Sequence, residues 1–187
     1  MEKSTREYET GIGFGVVQYV RRIVWEAITA IVPALLIALF INVHVAQAVE
    51  IEAGPSMQPN LYQGYRVMIE RVSYRFHVPD RGDIVVADRP EEEVSLIKRV
   101  MGLPGETIEV RDGYVMIDGE SIEEPWVTHF GGPDYGPEEV PEGCVFILGD
   151  NRQVSRDSRA IGPVALSTIE GRVWLVYWPL EEIRLVP

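Results

Sequence analysis

The sequence predicts a mainly β protein with a single membrane-spanning helix near its N-terminus. Residues 27–49 form a run of 23 residues without a charged side chain, and residues 50–187 contain short apolar runs separated by Gly and Pro. A length of 187 residues with 46% hydrophobic side chains fits one sizeable domain behind this helix.

The apolar run at residues 27–49 is long enough to cross a bilayer. At ~1.5 Å per residue it spans roughly 34 Å as a helix, against a hydrocarbon core of ~30 Å. Pro33 is tolerated in a membrane helix, because neighbouring groups satisfy the carbonyl that it leaves free. Two alternatives stay open: a buried helix of a soluble protein, and a secretory signal cleaved after Ala46-Gln47-Ala48. The run is longer than the roughly 7–15 residues of a signal core, which favours an uncleaved anchor.

The charges that flank this run predict its orientation. Four basic residues precede it, namely Lys3, Arg6, Arg21 and Arg22, and the next basic residue is Arg66. By the positive-inside rule the N-terminus is cytoplasmic and the chain after the run is extracytoplasmic. We therefore predict a short cytoplasmic segment at 1–23, a transmembrane anchor at 24–49 and an extracytoplasmic domain at 50–187.

Seven apolar runs predict the strands of this domain. They lie at 65–72, 83–87, 94–101, 107–111, 114–117, 145–148 and 172–178. Gly or Pro occurs in nearly every gap between them, as is typical of turns. Asp112-Gly113 between two runs indicates a two-residue hairpin turn. Residues 122–143 are rich in Pro, Gly and Glu and predict a loop-dominated excursion from the sheet.

Charge and cysteine content argue against several classes of function. Seventeen basic and 29 acidic side chains give a net charge of −12, which argues against nucleic-acid binding. The single Cys144 excludes an intrachain disulfide. The three His and one Cys show no CxxC or HxxH spacing, so we expect no metal and no other cofactor.

A candidate nucleophile follows the apolar run. In Gly54-Pro55-Ser56-Met57-Gln58-Pro59 one Gly and two Pro disfavour helix and strand, so Ser56 is held on an irregular turn with its amide free to face a ligand. Turns also contain Ser for conformational reasons alone. A nucleophilic serine needs a base, and the two histidines after residue 50, His77 and His129, stand in no dense polar motif.

Lys98 is the alternative base. The chain has 15 Arg and two Lys, and Lys98 is the one Lys after residue 49. Arg stays protonated in proteins, whereas a desolvated Lys can lose its proton near neutral pH. Strand alternation puts Leu96, Lys98 and Val100 on one face and Arg99 on the other. If the first face packs inward, burial favours the neutral amine.

A polar loop at 149–159 follows the apolar run at 145–148. Its charge density alone indicates a solvated turn. The loop also holds two carboxylates, three Arg, two Ser and one Asn, the groups that a hydrogen-bonded shell around a buried amine requires.

Four segments together resemble the bacterial type I signal peptidases, also called leader peptidases. They are GPSMQPNL at 54–61, RGDIVV at 81–86, KRVMGLPGE at 98–106, and GDNR at 149–152 followed by Ser155, Asp157, Ser158 and Arg159. The similarity extends from residue 24 to about residue 180, in the family's order. Each motif is weak alone, but four in order are specific.

The resemblance implies a Ser/Lys peptidase. Ser56 matches the family's nucleophile and Lys98 its general base. Ser155 matches a serine that helps to position the lysine amine, while Asp157 and Arg159 match a supporting charged pair. The implied fold is a largely antiparallel β catalytic domain with a small inserted β/loop subdomain, which falls near 107–142 here.

The family also implies a substrate and a location. Its substrates are exported precursor proteins with small residues, typically Ala, at the first and third positions before the cut, processed at the bacterial plasma membrane. We expect Gly54, Met57, Leu96 and Ile97 beside the substrate. Gly54 stands where some members carry a second oxyanion-donating hydroxyl. The implied partners are precursors and the lipid bilayer, without nucleic acid or metal.

Two other functions stay open from the sequence. One is a non-enzymatic, membrane-tethered β module that keeps a decayed peptidase fold. The other is a different Ser/Lys processing peptidase with another substrate.

Overall fold

The computed structural model describes residues 2–52, 54–88 and 95–186. The chain forms two compact units, Met1–Val43 and His44–Pro187. The predicted fold class is confirmed, because an N-terminal apolar helix precedes a domain built mainly of antiparallel strands.

The first helix, α1, spans Glu2–His44 and continues through Pro33. Within it, Gln18–Phe40 is long and apolar enough to cross a membrane. The sequence predicts a helical run to residue 49, and this end point is wrong, since the helix ends at His44 and Ala46–Glu50 forms a strand. Residues 46–50 pair with the strand at 66–70, and this pairing stabilises the extended conformation in place of the helix.

The described part of the second unit, His44–Pro187, contains twelve strands and one short α-helix. In chain order the strands are β1 Ala46–Glu50, β2 Arg66–Glu70, β3 Ile84–Ala87, β4 Leu96–Gly102, β5 Thr107–Arg111, β6 Tyr114–Ile117, β7 Glu120–Ser121, β8 Tyr135–Glu139, β9 Cys144–Leu148, β10 Val164–Ala165, β11 Ile169–Trp178 and β12 Arg184–Leu185, and helix α2 is Ser158–Ile161. The main sheet has the order β1-β2-β11-β3-β4-β9-β10, with β12 paired to β11. A second sheet has the order β7-β6-β5-β8.

The strand predictions agree with the structure to different degrees. The runs at 107–111 and 114–117 match β5 and β6 to the residue. Between them Asp112 and Gly113 have φ angles of 51° and 84°, the left-handed values that a two-residue hairpin turn requires. The other five runs overlap β2, β3, β4, β9 and β11, with ends that differ by up to three residues. Val94, the start of one run, lies outside the described residues.

The predicted loop at 122–143 contains a strand that the sequence analysis missed. Pro137 lies inside β8, which is tolerated because β8 is at the edge of the second sheet. Tyr135 packs its ring 4.7 Å from the ring of Phe146, which ties this segment to the core. The strands of the second sheet all lie within 107–142, the range that we predict as an insertion.

Buried side chains fix the turn that carries Ser56. Met57 and Leu61 are 3% and 1% exposed and belong to one cluster with Val67 of β2 and Ile97 of β4. Each such buried side chain contributes roughly 1.5–3 kcal/mol. The turn is therefore held against the sheet that carries Lys98.

Candidate active site

Ser56 lies half-buried in the turn between β1 and β2. Gly54 has a φ of 55°, a left-handed value that favours glycine. The Gln58 N–H donates to the Pro55 carbonyl at 3.1 Å, and the Asn151 N–H donates to the Ser56 carbonyl at 2.9 Å. The backbone of Ser56 is thus tied to the polar loop at 149–159.

Lys98 reaches Ser56 from the middle of β4. Its Nζ lies 3.0 Å from Ser56 Oγ and 2.9 Å from the Ile97 carbonyl oxygen. The side chain is 5% exposed, and it shares a face of the sheet with Val85 and Val100, which are fully buried. At 3.0 Å a neutral amine is within reach of the hydroxyl proton.

The two side chains open onto a cleft of about 400 Å³. The four residues that we expect beside the substrate all line it: Gly54, Met57, Leu96 and Ile97. Residues of β1, including Ala48 and Glu50, form part of its wall. The sequence alone did not indicate this contribution of β1, because we predict residues 46–49 as the end of the membrane anchor.

The histidines have other contacts. His77 is exposed, and its Nδ1 lies 2.9 Å from the Val78 carbonyl oxygen. His129 Nδ1 lies 2.9 Å from Thr128 Oγ1, and the His129 carbonyl accepts from the Arg152 N–H. Within the described residues, no cluster of three or more His, Cys, Asp or Glu side chains could hold a metal ion.

Ser155 packs tightly beside the Ser56 turn. A Cβ placed on Gly149 would clash with Ser155 Oγ and would lie 2.5 Å from the Ser56 carbonyl oxygen, so this close approach requires a glycine. The Ser155 N–H donates to the Asn151 carbonyl at 3.1 Å. Its Oγ is buried and has no hydrogen-bond partner among the residues that the structure describes. A positioning bond from this hydroxyl to Lys98, which the resemblance implies, therefore stays a prediction.

Asp157 and Arg159 form a fully buried pair below this loop. Arg159 Nε and Nη2 each lie 2.9 Å from an Asp157 carboxylate oxygen. Asp157 also accepts from the Gly149 N–H at 3.0 Å, and Arg159 Nη2 donates to the Arg152 carbonyl at 2.7 Å. The pair therefore holds the backbone of the loop that contacts Ser56.

A second buried ion pair was missed by the sequence analysis. Arg99 binds both carboxylate oxygens of Asp150 at 2.8 Å, and its guanidinium lies 4.5 Å from the centroid of the Trp126 ring. Asn60, four residues after the candidate nucleophile, donates from Nδ2 to Asp150 at 2.8 Å. The sequence contains a signal for this pair, because Arg99 stands in an apolar run. A buried strand rarely carries a charge unless a partner neutralises it.

Arg152 completes the shell. It is 1% exposed, pairs with Glu124 and donates to the Gly149 carbonyl at 3.0 Å and the Gly113 carbonyl at 2.6 Å. Both backbone polar groups of Gly149 are thus bound: its N–H donates to Asp157, and its carbonyl accepts from Arg152.

Two groups outside this shell have shifted pKa values. Burial, together with the hydrogen bond that Tyr74 Oη donates to Asp83 at 2.7 Å, raises the pKa of Tyr74. Burial acts to raise the pKa of Glu70, but hydrogen bonds from Ser73 and Val72 outweigh it and leave the pKa below its ordinary value.

Comparison with known proteins gives consistent matches. The family described as signal peptidase, peptidase S26, matches residues 24–178. A signal peptidase I of Leptolyngbya laminosa is 39% identical over 84% of this chain and 81% of its own length. A signal peptidase I of Bacillus licheniformis is 34% identical over 86% of this chain and 91% of its own length.

A solved structure is also similar. The crystal structure of a signal peptidase I from Enterococcus faecalis V583 is 35% identical, with a TM-score of 0.45, and covers 51% of this chain and 97% of the solved chain.

Proposed function

Because the chain belongs to the peptidase S26 family of signal peptidases, we propose that it is a membrane-bound serine endopeptidase that removes signal peptides from exported precursors. The proposed cut follows small-x-small sequences such as Ala-x-Ala. The observation that carries this proposal is the 3.0 Å separation of Lys98 Nζ and Ser56 Oγ at the wall of a cleft.

The proposed mechanism uses the serine and the lysine without histidine. Neutral Lys98 takes the proton of Ser56 as Oγ attacks the scissile carbonyl, and an acyl-enzyme forms when the protonated amine donates to the leaving nitrogen. Lys98 then activates the water that releases the acyl group. A buried amine that begins the cycle neutral suits each of these transfers.

The oxyanion of the tetrahedral intermediate needs preorganised donors. Within the described part of the chain the Ser56 amide N–H has no hydrogen-bond partner, which supports its use as one donor. Gly54 offers no side-chain donor, so a second donor has to come from another group. Arg99, Asp150, Asp157 and Arg159 act as positioning residues, since they contact the backbone and side chains that surround the dyad.

The shape of the cleft supports an extended peptide as substrate. β1 is the edge strand of the main sheet, so an incoming strand can pair with its backbone. Met57 and Ile97 present apolar surface beside Ser56, which suits a small apolar side chain next to the scissile bond. We propose that these residues, with Gly54 and Leu96, form the pockets that select small residues.

The proposed location is a bacterial plasma membrane. Gln18–Phe40 can provide the span. Lys3 and Arg6 before it and Arg21 and Arg22 in its first turns favour a cytoplasmic N-terminus by the positive-inside rule. The domain from His44 onward then meets precursors on the extracytoplasmic side, where signal peptides emerge.

The test uses full-length protein in lipid vesicles and a precursor with Ala at both positions before the cut. We expect one product whose new N-terminus, read by mass spectrometry, follows Ala-x-Ala. Ser56→Ala is the inactive control, and precursors with Trp at either position should resist cleavage. Cleavage at unrelated sites, or equal cleavage of the Trp precursors, would contradict the proposed specificity.

A further inference from the structure

The segment at 124–131 connects the second sheet to the loop that contacts Ser56. It lies between β7 and β8 and forms neither a helix nor a strand. Three consecutive carbonyls of this segment accept hydrogen bonds from the loop at 149–159: His129 from the Arg152 N–H at 2.9 Å, Phe130 from Gln153 Nε2 at 2.9 Å, and Gly131 from Arg159 Nη1 at 3.0 Å. An irregular segment whose backbone groups are bound in this way has a defined position against the loop.

Trp126 of this segment covers the guanidinium that follows Lys98 in the chain. The Arg99 guanidinium carbon lies 4.5 Å from the centroid of the Trp126 ring, and the Arg99 side chain is 5% exposed. Asn60 Nδ2 donates both to the Trp126 carbonyl and to the Asp150 carboxylate at 2.8 Å. A cation over an aromatic face is attracted by the negative face of the ring, most strongly where water is excluded. Trp126 therefore restrains β4 directly beside the candidate base.

Glu124 binds a second buried guanidinium, that of Arg152. Both side chains are at most 3% exposed, and Arg152 Nη1 lies 3.2 Å from Glu124 Oε2. Arg152 also donates to the Gly149 carbonyl at 3.0 Å, and a Cβ on Gly149 would lie 2.5 Å from the Ser56 carbonyl oxygen. A buried arginine without a counterion carries a large desolvation cost. Glu124 therefore holds Arg152 in the place where it binds the backbone next to Ser56.

The indole N–H of Trp126 has no part in these contacts. Nε1 is buried and lacks a hydrogen-bond partner among the residues that the structure describes. A buried donor without a partner costs stability, so the face of the ring, and not its N–H, is the part that acts. Phenylalanine at position 126 keeps an aromatic face and lacks the donor, whereas leucine keeps only apolar volume.

We propose that Glu124 and Trp126 are positioning residues of the Ser/Lys reaction. Trp126 acts through Arg99 on the strand that carries the candidate base. Glu124 acts through Arg152 on the backbone that touches the candidate nucleophile. The connection between two strands of the second sheet thereby sets the separation of the amine and the hydroxyl. This inference rests on the mechanism described under the proposed function.

The test measures the reaction of full-length protein with two substrates. One is a precursor with Ala-x-Ala before the cut, and the other is p-nitrophenyl acetate, an activated ester that needs no peptide recognition. The ester transfers its acetyl group to a nucleophilic Ser56 and releases p-nitrophenol, with Ser56→Ala as the background. The variants are Trp126→Leu, Trp126→Phe and Glu124→Gln. Denaturation curves give the free energy of unfolding and a temperature at which each variant is fully folded.

Trp126→Leu and Glu124→Gln should each lower kcat for both substrates roughly 10–100-fold, because a displacement of about 1 Å at the reacting atoms has an effect of this size. KM for the precursor should change much less, since neither residue is among the described residues that line the cleft. Trp126→Phe should keep most of the wild-type rate, because its ring still faces Arg99. A Trp126→Phe enzyme as slow as Trp126→Leu would overturn the role of the aromatic face.

Two controls separate positioning from a general loss of stability. Glu123→Gln changes the neighbouring exposed carboxylate and should keep the wild-type rate. Val115→Ala removes packing from the core of the second sheet and leaves both guanidinium contacts in place. It should lower the free energy of unfolding but change the rate by about two-fold at most. An equal loss of rate in fully folded Val115→Ala and Trp126→Leu would refute a positioning role.

The two substrates distinguish failure of this inference from failure of the proposed function. A wild type that reacts with the ester but leaves the precursor intact removes the signal-peptidase activity, and the ester rates of the variants still decide the positioning roles. Wild-type cleavage rates in both Trp126→Leu and Glu124→Gln leave the function in place and refute the positioning roles. A wild type without a Ser56-dependent reaction on either substrate refutes both.

Discussion

Lys98 Nζ and Ser56 Oγ lie 3.0 Å apart although 42 residues separate them in the chain. A buried strand supplies the amine, and a turn anchored by Met57 and Leu61 supplies the hydroxyl. At this distance the amine can take the hydroxyl proton directly, as the proposed mechanism requires.

The rate of signal-peptide removal should rise with pH. A lysine acts as a base only when neutral, and an ordinary lysine titrates near pH 10.4. If Lys98 is the base, kcat/KM should increase as pH rises from about 6 and level off once the lysine is deprotonated. Full-length protein and a single precursor are sufficient for the measurement. A flat profile between about pH 6 and 10 would exclude a lysine base.

Gly149→Ala should impair catalysis through the backbone of Ser56. The new Cβ would lie 2.5 Å from the Ser56 carbonyl oxygen, and a backbone atom cannot rotate away. A displacement of about 1 Å in an active site can lower the rate about 100-fold, and overpacking costs about 1–3 kcal/mol of stability. Val154→Ala, an exposed change in the same loop, is the control. A wild-type kcat in Gly149→Ala would refute the prediction that this contact positions Ser56.

Ser155→Ala should separate positioning from stability. The Ser155 hydroxyl is buried and unpaired among the described residues, so its removal should leave the free energy of unfolding unchanged or raise it by about 1–3 kcal/mol. If the hydroxyl orients Lys98 during the reaction, kcat falls and the pH profile shifts, and Ser155→Thr restores both in part. An alanine variant with the wild-type rate and pH profile would remove Ser155 from the mechanism.

Glu70→Gln should lower stability at neutral pH and have less effect in acid. Hydrogen bonds from Ser73 and Val72 keep the pKa of Glu70 below its ordinary value despite burial. The folded state therefore favours the ionised form, and its stabilising effect is present above the unfolded pKa of about 4.3 and lost as pH falls through the folded value. Denaturation midpoints at pH 7 and in acid give the difference. An equal loss at both values would refute this role for the carboxylate.

Most of the architecture could be predicted from local signals. The β5–β6 hairpin was predicted to the residue, because apolar runs and an Asp-Gly turn specify it without distant contacts. Strand alternation put Lys98 on an apolar face, and the structure buries it. These features depend on neighbours in the chain.

The missed features depend on residues that are distant in the chain. Ala46–Glu50 has an apolar composition that suits a helix, but pairing with β2 makes it a strand. Arg99 and Asp150 are 51 positions apart, so their ion pair becomes visible only when β4 and the loop after β9 meet. The contacts around Ser56 and Lys98 were therefore less predictable from the sequence than the two candidate residues themselves.

The most direct test of the Ser/Lys mechanism is the cleavage rate of one precursor by the wild type, Ser56→Ala, Lys98→Arg and the double variant. Arginine keeps the charge but stays protonated, so it cannot act as a base. Both single variants should lose about 10⁴-fold in rate, with circular dichroism spectra like the wild type, and the double variant should be no slower, because the two residues act as a unit. A Lys98→Arg enzyme that keeps more than about a tenth of the wild-type rate would contradict the mechanism.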